Sequence, residues 1–256
     1  MTKIDLDYNN VPIIYEMNNE DFEAIEKDYE KNKIDFQKKD IQFLIKTTAG
    51  ELKEHSSSIK GVFDFLVEAF ENKLRNDGLT PLVFHSIYLT KLLYLCGDHN
   101  INDLILASLH DVLEDTSITE TELRKKHFLE NKNNLIEYLK TLSEDKNLSR
   151  EPDGKNLPPR YIEHIKRIIN APREVINLEI LDRFSDLMDL DYILKLPEKQ
   201  RKLRLDSKII KVRSFIENIT RNRNDINKNC LNLFNYKVKR IEKLYKINVV
   251  IPIISK

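Results

Sequence analysis

Apolar residues recur along most of the chain at the three- and four-residue spacing of helices that bury one face. The segments with this spacing are 59–74, 84–97, 101–114, 119–127, 131–142, 158–170, 173–190, 197–220 and 225–246. Glycine (5 residues) and proline (8 residues) are scarce, which disfavours a fold built from many strands and tight turns. We therefore predict an all-α fold.

The pattern also divides the chain. Residues 1–20 contain helix breakers, and residues 20–47 are highly charged, with Asp21 as the candidate cap of a first helix. Three parts follow from this pattern: an N-terminal extension of unassigned role (1–58), a helical domain (59–220), and a C-terminal helix and tail that pack on it (221–256). The longest polar gap, 143–158, is the kind of loop that often covers a site.

Composition excludes several classes of function. Of the 256 residues, 41% are hydrophobic and 33% charged, and the formal net charge is zero. This balance gives no electrostatic case for nucleic acid or an anionic membrane as partner. We see neither a signal peptide nor a membrane-spanning stretch, and Cys96 and Cys230 form no CxxC pair. We expect a cytoplasmic protein with two free thiols.

Candidate chemistry lies in the apolar run LILASLHDVLEDT (104–116). This run should be core, yet it contains His110, Asp111, Glu114 and Asp115. Burying unpaired carboxylates costs several kcal/mol each, and a divalent metal would offset that cost. On one continuous helix, residues four apart share a face, so these four side chains would form one polar patch. Such a patch can both hold an ion and take a proton from water.

Two further residues can complete a metal shell. His85 begins an apolar helix, and Asp182 lies in another apolar helix. Mixed nitrogen and oxygen ligands fit Mn²⁺, Fe²⁺, Co²⁺ or Zn²⁺ better than Ca²⁺. By contrast, His55, His127 and His164 lie in polar sequence, and we predict that they are solvated.

The order H…HD…D is the signature of the HD superfamily of metal-dependent phosphohydrolases, and four segments resemble the hydrolase domain of the RelA/SpoT family. That family shows RxSGxPYxxHP, LHDVxEDT, KLADRxxNM and EKxRxxAxET. This chain has RNDGLTPLVFH (75–85), LHDVLEDT (109–116), ILDRFSDLM (180–188) and EKQRKLRLDS (198–207). About fifty residues follow the last segment, which leaves no room for the family's synthetase domain. The chain thus resembles a small alarmone hydrolase, with an HD-domain helical bundle and an N-terminal extension.

The resemblance implies an activity and a role for each matching residue. The activity is hydrolysis of ppGpp and pppGpp at the 3′ position, which yields GDP or GTP plus pyrophosphate and belongs to the stringent response. One Mn²⁺ would be held by His85, His110, Asp111 and Asp182. The attacking water would be oriented and deprotonated by Glu114 and Asp115. The nucleotide would be contacted by Arg75, Arg183 and Asp186, with Lys91 and Lys155 as further candidate cations.

Departures from the family pattern keep two alternatives open. Asp186 stands where the family has Asn, and Asn76 stands where it has Lys or Arg, so the substrate preference is expected to differ. One alternative is an HD phosphohydrolase for another nucleotide, such as one that removes the 2′-phosphate of NADPH. The other is a non-catalytic alarmone binder or antitoxin-like partner. A guanosine polyphosphate is the expected ligand, and a homo-oligomer stays open.

Overall fold

The computed structural model describes residues 16–149, 151 and 157–247, and this part of the chain is all-α, as predicted. The helices are α1 Asn19–Lys38, α2 Ile41–Glu51, α3 Ser56–Ala69, α4 Val83–Leu95, α5 Ile101–Leu109, α6 Val112–Asp115, α7 Glu120–Leu123, α8 Asn133–Leu142, α9 Pro159–Ile169, α10 Arg173–Met188, α11 Asp191–Leu194, α12 Glu198–Asn222 and α13 Lys228–Tyr245. Short 3₁₀ turns cover Lys53–His55 and His127–Leu129. Within these ranges we find helices, turns and one isolated bridge between Leu74 and Pro81, but no strand.

Helix α4 is at the centre of the core. Every residue from 83 to 94 is buried, which agrees with the apolar character of this helix on all its faces. α5 and α10 both pack against α4, and α13 packs against α10. Because α4, α5 and α10 meet, the side chains that face inward from these three helices converge.

The N-terminal helices belong to the same core. Phe22, Ile25 and Tyr29 of α1 are buried, and both α1 and α2 contact α4. The cap of α1 is Asn18 rather than Asp21, because the Asn18 side chain accepts the backbone N–H groups of residues 20 and 21. Asp21 instead completes a capping box by accepting the backbone N–H of Asn18. The predicted division at residue 58 stays a prediction.

The prediction of a single helix over residues 101–114 is wrong. α5 ends at Leu109, and a new helical turn begins after Asp111. The backbone N–H groups of Glu114 and Asp115 both donate to the Asp111 carbonyl, so the hydrogen-bond ladder starts again at this residue. His110 and Asp111 therefore lie at a break between two helices and do not form regular rows with Glu114 and Asp115.

In the described part of the chain, no helix combines the length and the apolar character that crossing a bilayer requires.

Candidate metal and nucleotide site

The four predicted metal ligands lie together at one point of the core. His85 comes from α4, His110 and Asp111 from the break after α5, and Asp182 from α10. The Nε2 atoms of the two histidines are 3.1 Å apart. Asp182 Oδ1 lies 2.9 Å from His85 Nε2, and Asp111 Oδ2 lies 3.0 Å from His110 Nε2. Three elements distant in sequence thus bring two imidazoles and two carboxylates into direct contact.

The second nitrogen of each histidine ring is anchored. His110 Nδ1 donates to the Ala107 carbonyl at 2.9 Å, and His85 Nδ1 lies 3.1 Å from Ser185 Oγ. A carbonyl only accepts, so this bond places the proton of neutral His110 on Nδ1 and leaves the Nε2 lone pair facing the cluster. Partners of this kind orient histidines that bind metals.

The donor set favours a positive charge at its centre. Burial alone lowers the pKa of His110, but the Asp111 and Asp182 carboxylates outweigh burial and raise the pKa to about 9. Ligand atoms about 2.1 Å from one ion lie roughly 3.0–3.4 Å from each other. The separations in the cluster lie close to this range, between 2.9 and 3.8 Å. The residues present therefore fit a divalent transition metal, held by His85, His110 and Asp182 with Asp111 beside them.

Glu114 and Asp115 line the cavity that opens at this cluster. Burial raises the pKa of Glu114, although its carboxylate accepts the backbone N–H of Glu144 at 3.2 Å. Burial and the nearby Asp111 raise the pKa of Asp115 as well. Carboxylates with raised pKa values accept protons more readily than ordinary ones, so both residues are suited to general-base chemistry.

The cavity has a volume of about 850 Å³, which is in the range of small-molecule sites. The described residues that line it include seven carboxylates and five cationic side chains. This excess of negative charge would repel a phosphorylated ligand. A divalent cation at the histidine–aspartate cluster would reverse the local balance.

The three predicted nucleotide contacts also line this cavity. Arg75 contacts Asp189 through Nε, and Arg183 pairs with Glu179 at 2.5 Å. Asp186 lies 3.4 Å from Lys208. Their position on the cavity wall is compatible with the predicted roles, and those roles stay predictions.

Other candidates lie elsewhere. The Lys91 ammonium does not line the cavity, since it pairs with Asp28 at 2.8 Å and Glu51 at 2.6 Å. Lys155 lies outside the described residues.

The prediction that His164 is solvated is wrong. This side chain is fully buried and lies 2.9 Å from the Glu179 carboxylate. Glu179 thus links His164 to Arg183, and it lines the cavity as well. Glu179 stands where the family segment KLADRxxNM has lysine, and this departure was the signal in the sequence that could have drawn attention to it.

Fold and site together define an all-α protein with a candidate divalent-metal centre in a cavity. No protein-family model and no curated protein matches the sequence. Among solved structures, the chain is similar to a metazoan ortholog of SpoT that hydrolyzes ppGpp and plays a role in starvation responses. The match has a TM-score of 0.56 and 16% sequence identity, and it covers 74% of this chain and 96% of that chain. The predicted HD-domain fold is thereby confirmed.

Proposed function

We propose that this protein hydrolyses guanosine 3′,5′-bis-polyphosphates at the 3′ position. The reaction uses a divalent metal, for which Mn²⁺ is the first candidate. The observation that carries the proposal is the convergence of His85, His110, Asp111 and Asp182 in a cavity that Glu114 and Asp115 also line. The segments shared with the RelA/SpoT hydrolase domain and the similarity to a ppGpp hydrolase support the choice of substrate.

The chemistry divides between the metal cluster and the two carboxylates. A divalent metal held by the cluster would favour ionisation of water and balance charge on phosphoryl oxygens. Glu114 or Asp115 would take the proton as water attacks the phosphorus attached to the 3′ oxygen. The bond between that phosphorus and the 3′ oxygen breaks, which releases pyrophosphate and leaves GDP or GTP. Because two adjacent carboxylates in different surroundings can hold different protonation states, one can act as base and the other as proton donor.

The cavity wall would hold the rest of the nucleotide. The Arg75 and Arg183 guanidiniums can bind phosphate oxygens or stack on the base, as arginine commonly does. Asp186 places a negative charge on the same wall, where the family has a neutral asparagine. A shifted preference among guanosine polyphosphates is expected from this difference.

A panel of nucleotides tests the proposal. Purified protein with Mn²⁺ would be assayed for release of pyrophosphate or phosphate from ppGpp, pppGpp, GTP and NADPH. We expect pyrophosphate from ppGpp or pppGpp, and none from GTP. Phosphate from NADPH alone would assign the cavity to another nucleotide, and no release from any of the four would refute hydrolysis of this substrate class.

The variant Glu114→Gln keeps the size of the side chain and removes its basicity, so turnover should fall roughly 10²- to 10⁴-fold. Glu137→Gln is a matched control, because Glu137 is exposed and pairs only with surface cations among the described residues. Equal turnover in the two variants would exclude Glu114 from the chemistry.

A further inference from the structure

One face of α1 contacts the segment that carries Arg75. Tyr29, Lys33 and Gln37 are spaced four residues apart and therefore share a face of the helix. The Tyr29 hydroxyl donates to Asp189 Oδ1 at 2.8 Å, and the Lys33 ammonium donates to the same oxygen at 2.9 Å. The Gln37 amide donates to Thr80 Oγ1 at 2.7 Å. Helix α1 thus reaches both the residue after α10 and the loop before α4.

Asp189 connects α1 to the cavity. Its Oδ1 atom accepts from Tyr29 and Lys33, while its Oδ2 atom accepts from Arg75 Nε. The side chains of Lys33, Asp189 and Arg75 are 5%, 13% and 10% exposed. Hydrogen bonds between charged groups are strong when water is largely excluded, so this network fixes the geometry of the carboxylate.

Lys33 also contacts the loop from which Arg75 extends. Its ammonium lies 3.5 Å from the Asp77 carboxylate. Asp77 in turn accepts the backbone N–H groups of Leu79 and Thr80, both at 2.9 Å. The loop is closed by a hydrogen bond of 2.8 Å from the backbone N–H of Arg75 to the backbone carbonyl of Thr80. Lys33 therefore contacts both groups that hold Arg75 in place: Asp77 of its loop and the Asp189 carboxylate.

We infer that α1 is a positioning element of the nucleotide site: Tyr29 and Lys33 orient the Asp189 carboxylate, and Asp189 holds the Arg75 guanidinium at the cavity wall. The assignment of Arg75 to a nucleotide rests on the proposed function. The contact with Asp189 uses Nε rather than the two terminal nitrogens, so the pair itself leaves the end of the guanidinium for a ligand. Tyr29 and Lys33 act through Asp189 and do not line the cavity.

The test is the double variant Tyr29→Phe/Lys33→Met, which keeps both apolar stems and removes both donors to Asp189 Oδ1. A loosely held Arg75 binds substrate less well, whereas neither substituted side chain belongs to the histidine–aspartate cluster or lines the cavity with Glu114 and Asp115. With ppGpp and Mn²⁺ we expect KM to rise roughly tenfold and kcat to stay within about twofold. Asp189→Asn, which weakens the same link at its centre, should also raise KM.

Lys91→Met is the matched control. Lys91 is a buried lysine whose partners, Asp28 and Glu51, lie on α1 and α2, so the variant loosens the same region without touching Asp189. Its KM should equal that of the wild type. A similar rise of KM in Lys91→Met would show that α1 affects the site only by stabilising the fold, and it would overturn the inference.

A second measurement does not depend on turnover. The Nε–H group of Arg75 gives a ¹⁵N-coupled proton signal, which can be assigned by its loss in Arg75→Lys. Its exchange with solvent should be roughly tenfold faster in the double variant than in the wild type or in Lys91→Met. Unchanged exchange in the double variant would overturn the inference. If the wild type does not hydrolyse ppGpp, the proposed function fails, and this exchange rate still decides whether α1 positions Arg75.

Discussion

The buried ion pair between Glu179 and Arg183 yields a quantitative prediction. Glu179 is 3% exposed, and its carboxylate contacts Arg183 at 2.5 Å and His164 at 2.9 Å. The substitution Glu179→Gln keeps the shape and an acceptor oxygen but removes the negative charge. The experiment therefore isolates the contribution of that charge to stability.

The magnitude follows from two opposing terms. At 2.5 Å and an effective dielectric constant of about 20, the attraction between the charges is about 7 kcal/mol. Removing the carboxylate charge also removes its desolvation penalty, which is several kcal/mol for a buried ion and therefore offsets about half of that attraction. The remaining loss of unfolding free energy is about 3 kcal/mol, at the low end of what is typical when one partner of a buried pair is removed.

The assay is urea unfolding at pH 7, followed by circular dichroism. Glu217→Gln is the matched control, because Glu217 and Arg221 have the same four-residue spacing on a helix but lie 3.6 Å apart, with side chains 34% and 53% exposed. We expect a loss of less than about 0.5 kcal/mol for the control. A loss below about 1 kcal/mol for Glu179→Gln, or one equal to that of the control, would show that the Glu179 charge does not stabilise the fold.

Three further predictions concern pH, metal affinity and substrate affinity. Burial and the neighbouring Asp98 raise the pKa of Asp103 from 3.8 to about 7, so its contribution to stability is fully present below about pH 4 and is lost as the pH rises from there to about 7. We therefore expect the free energy of unfolding in urea of Asp103→Asn, relative to that of the wild type, to rise by about 1–2 kcal/mol between pH 4 and pH 8. The same difference between the two proteins at both pH values would contradict this prediction. Ser185→Ala removes the partner of His85 Nδ1 and should weaken Mn²⁺ binding roughly 10- to 100-fold by isothermal titration, whereas unchanged affinity would show that Ser185 does not orient the ligand. Asp186→Asn removes a negative charge from the cavity wall and should lower KM for ppGpp roughly fivefold, and an unchanged KM would mean that Asp186 does not face the nucleotide.

The sequence predicted the helices well because most of them bury one regular face. The predicted segments 173–190 and 197–220 lie within two residues of the observed ends of α10 and α12. The break at His110 and Asp111 was missed because apolar residues continue on both sides of it at helical spacing. A turn of two residues with near-helical backbone angles leaves no mark in such a pattern.

The candidate metal ligands could be singled out because their types and order form a pattern along the chain, and the structure places them together. That they bind a metal stays a prediction. The environment of His164 could not be predicted, because Glu179 is its partner only after α9 packs against α10. The contacts of Asp189 are of the same kind, since its donors Tyr29 and Lys33 are about 160 residues away in sequence. Local polarity indicates solvent exposure only when no distant partner covers the side chain.

We propose above that the histidine–aspartate cluster supports metal-dependent hydrolysis of ppGpp. Its most direct test is pyrophosphate release from ppGpp with added Mn²⁺, measured for the wild type and for Asp111→Ala, with circular dichroism to show that both are folded. We predict release by the wild type that chelation of the metal and the substitution each abolish. Release that persists in folded Asp111→Ala would show that the cluster is not the hydrolytic site. No release by folded, Mn²⁺-loaded wild type would show that the protein does not hydrolyse ppGpp.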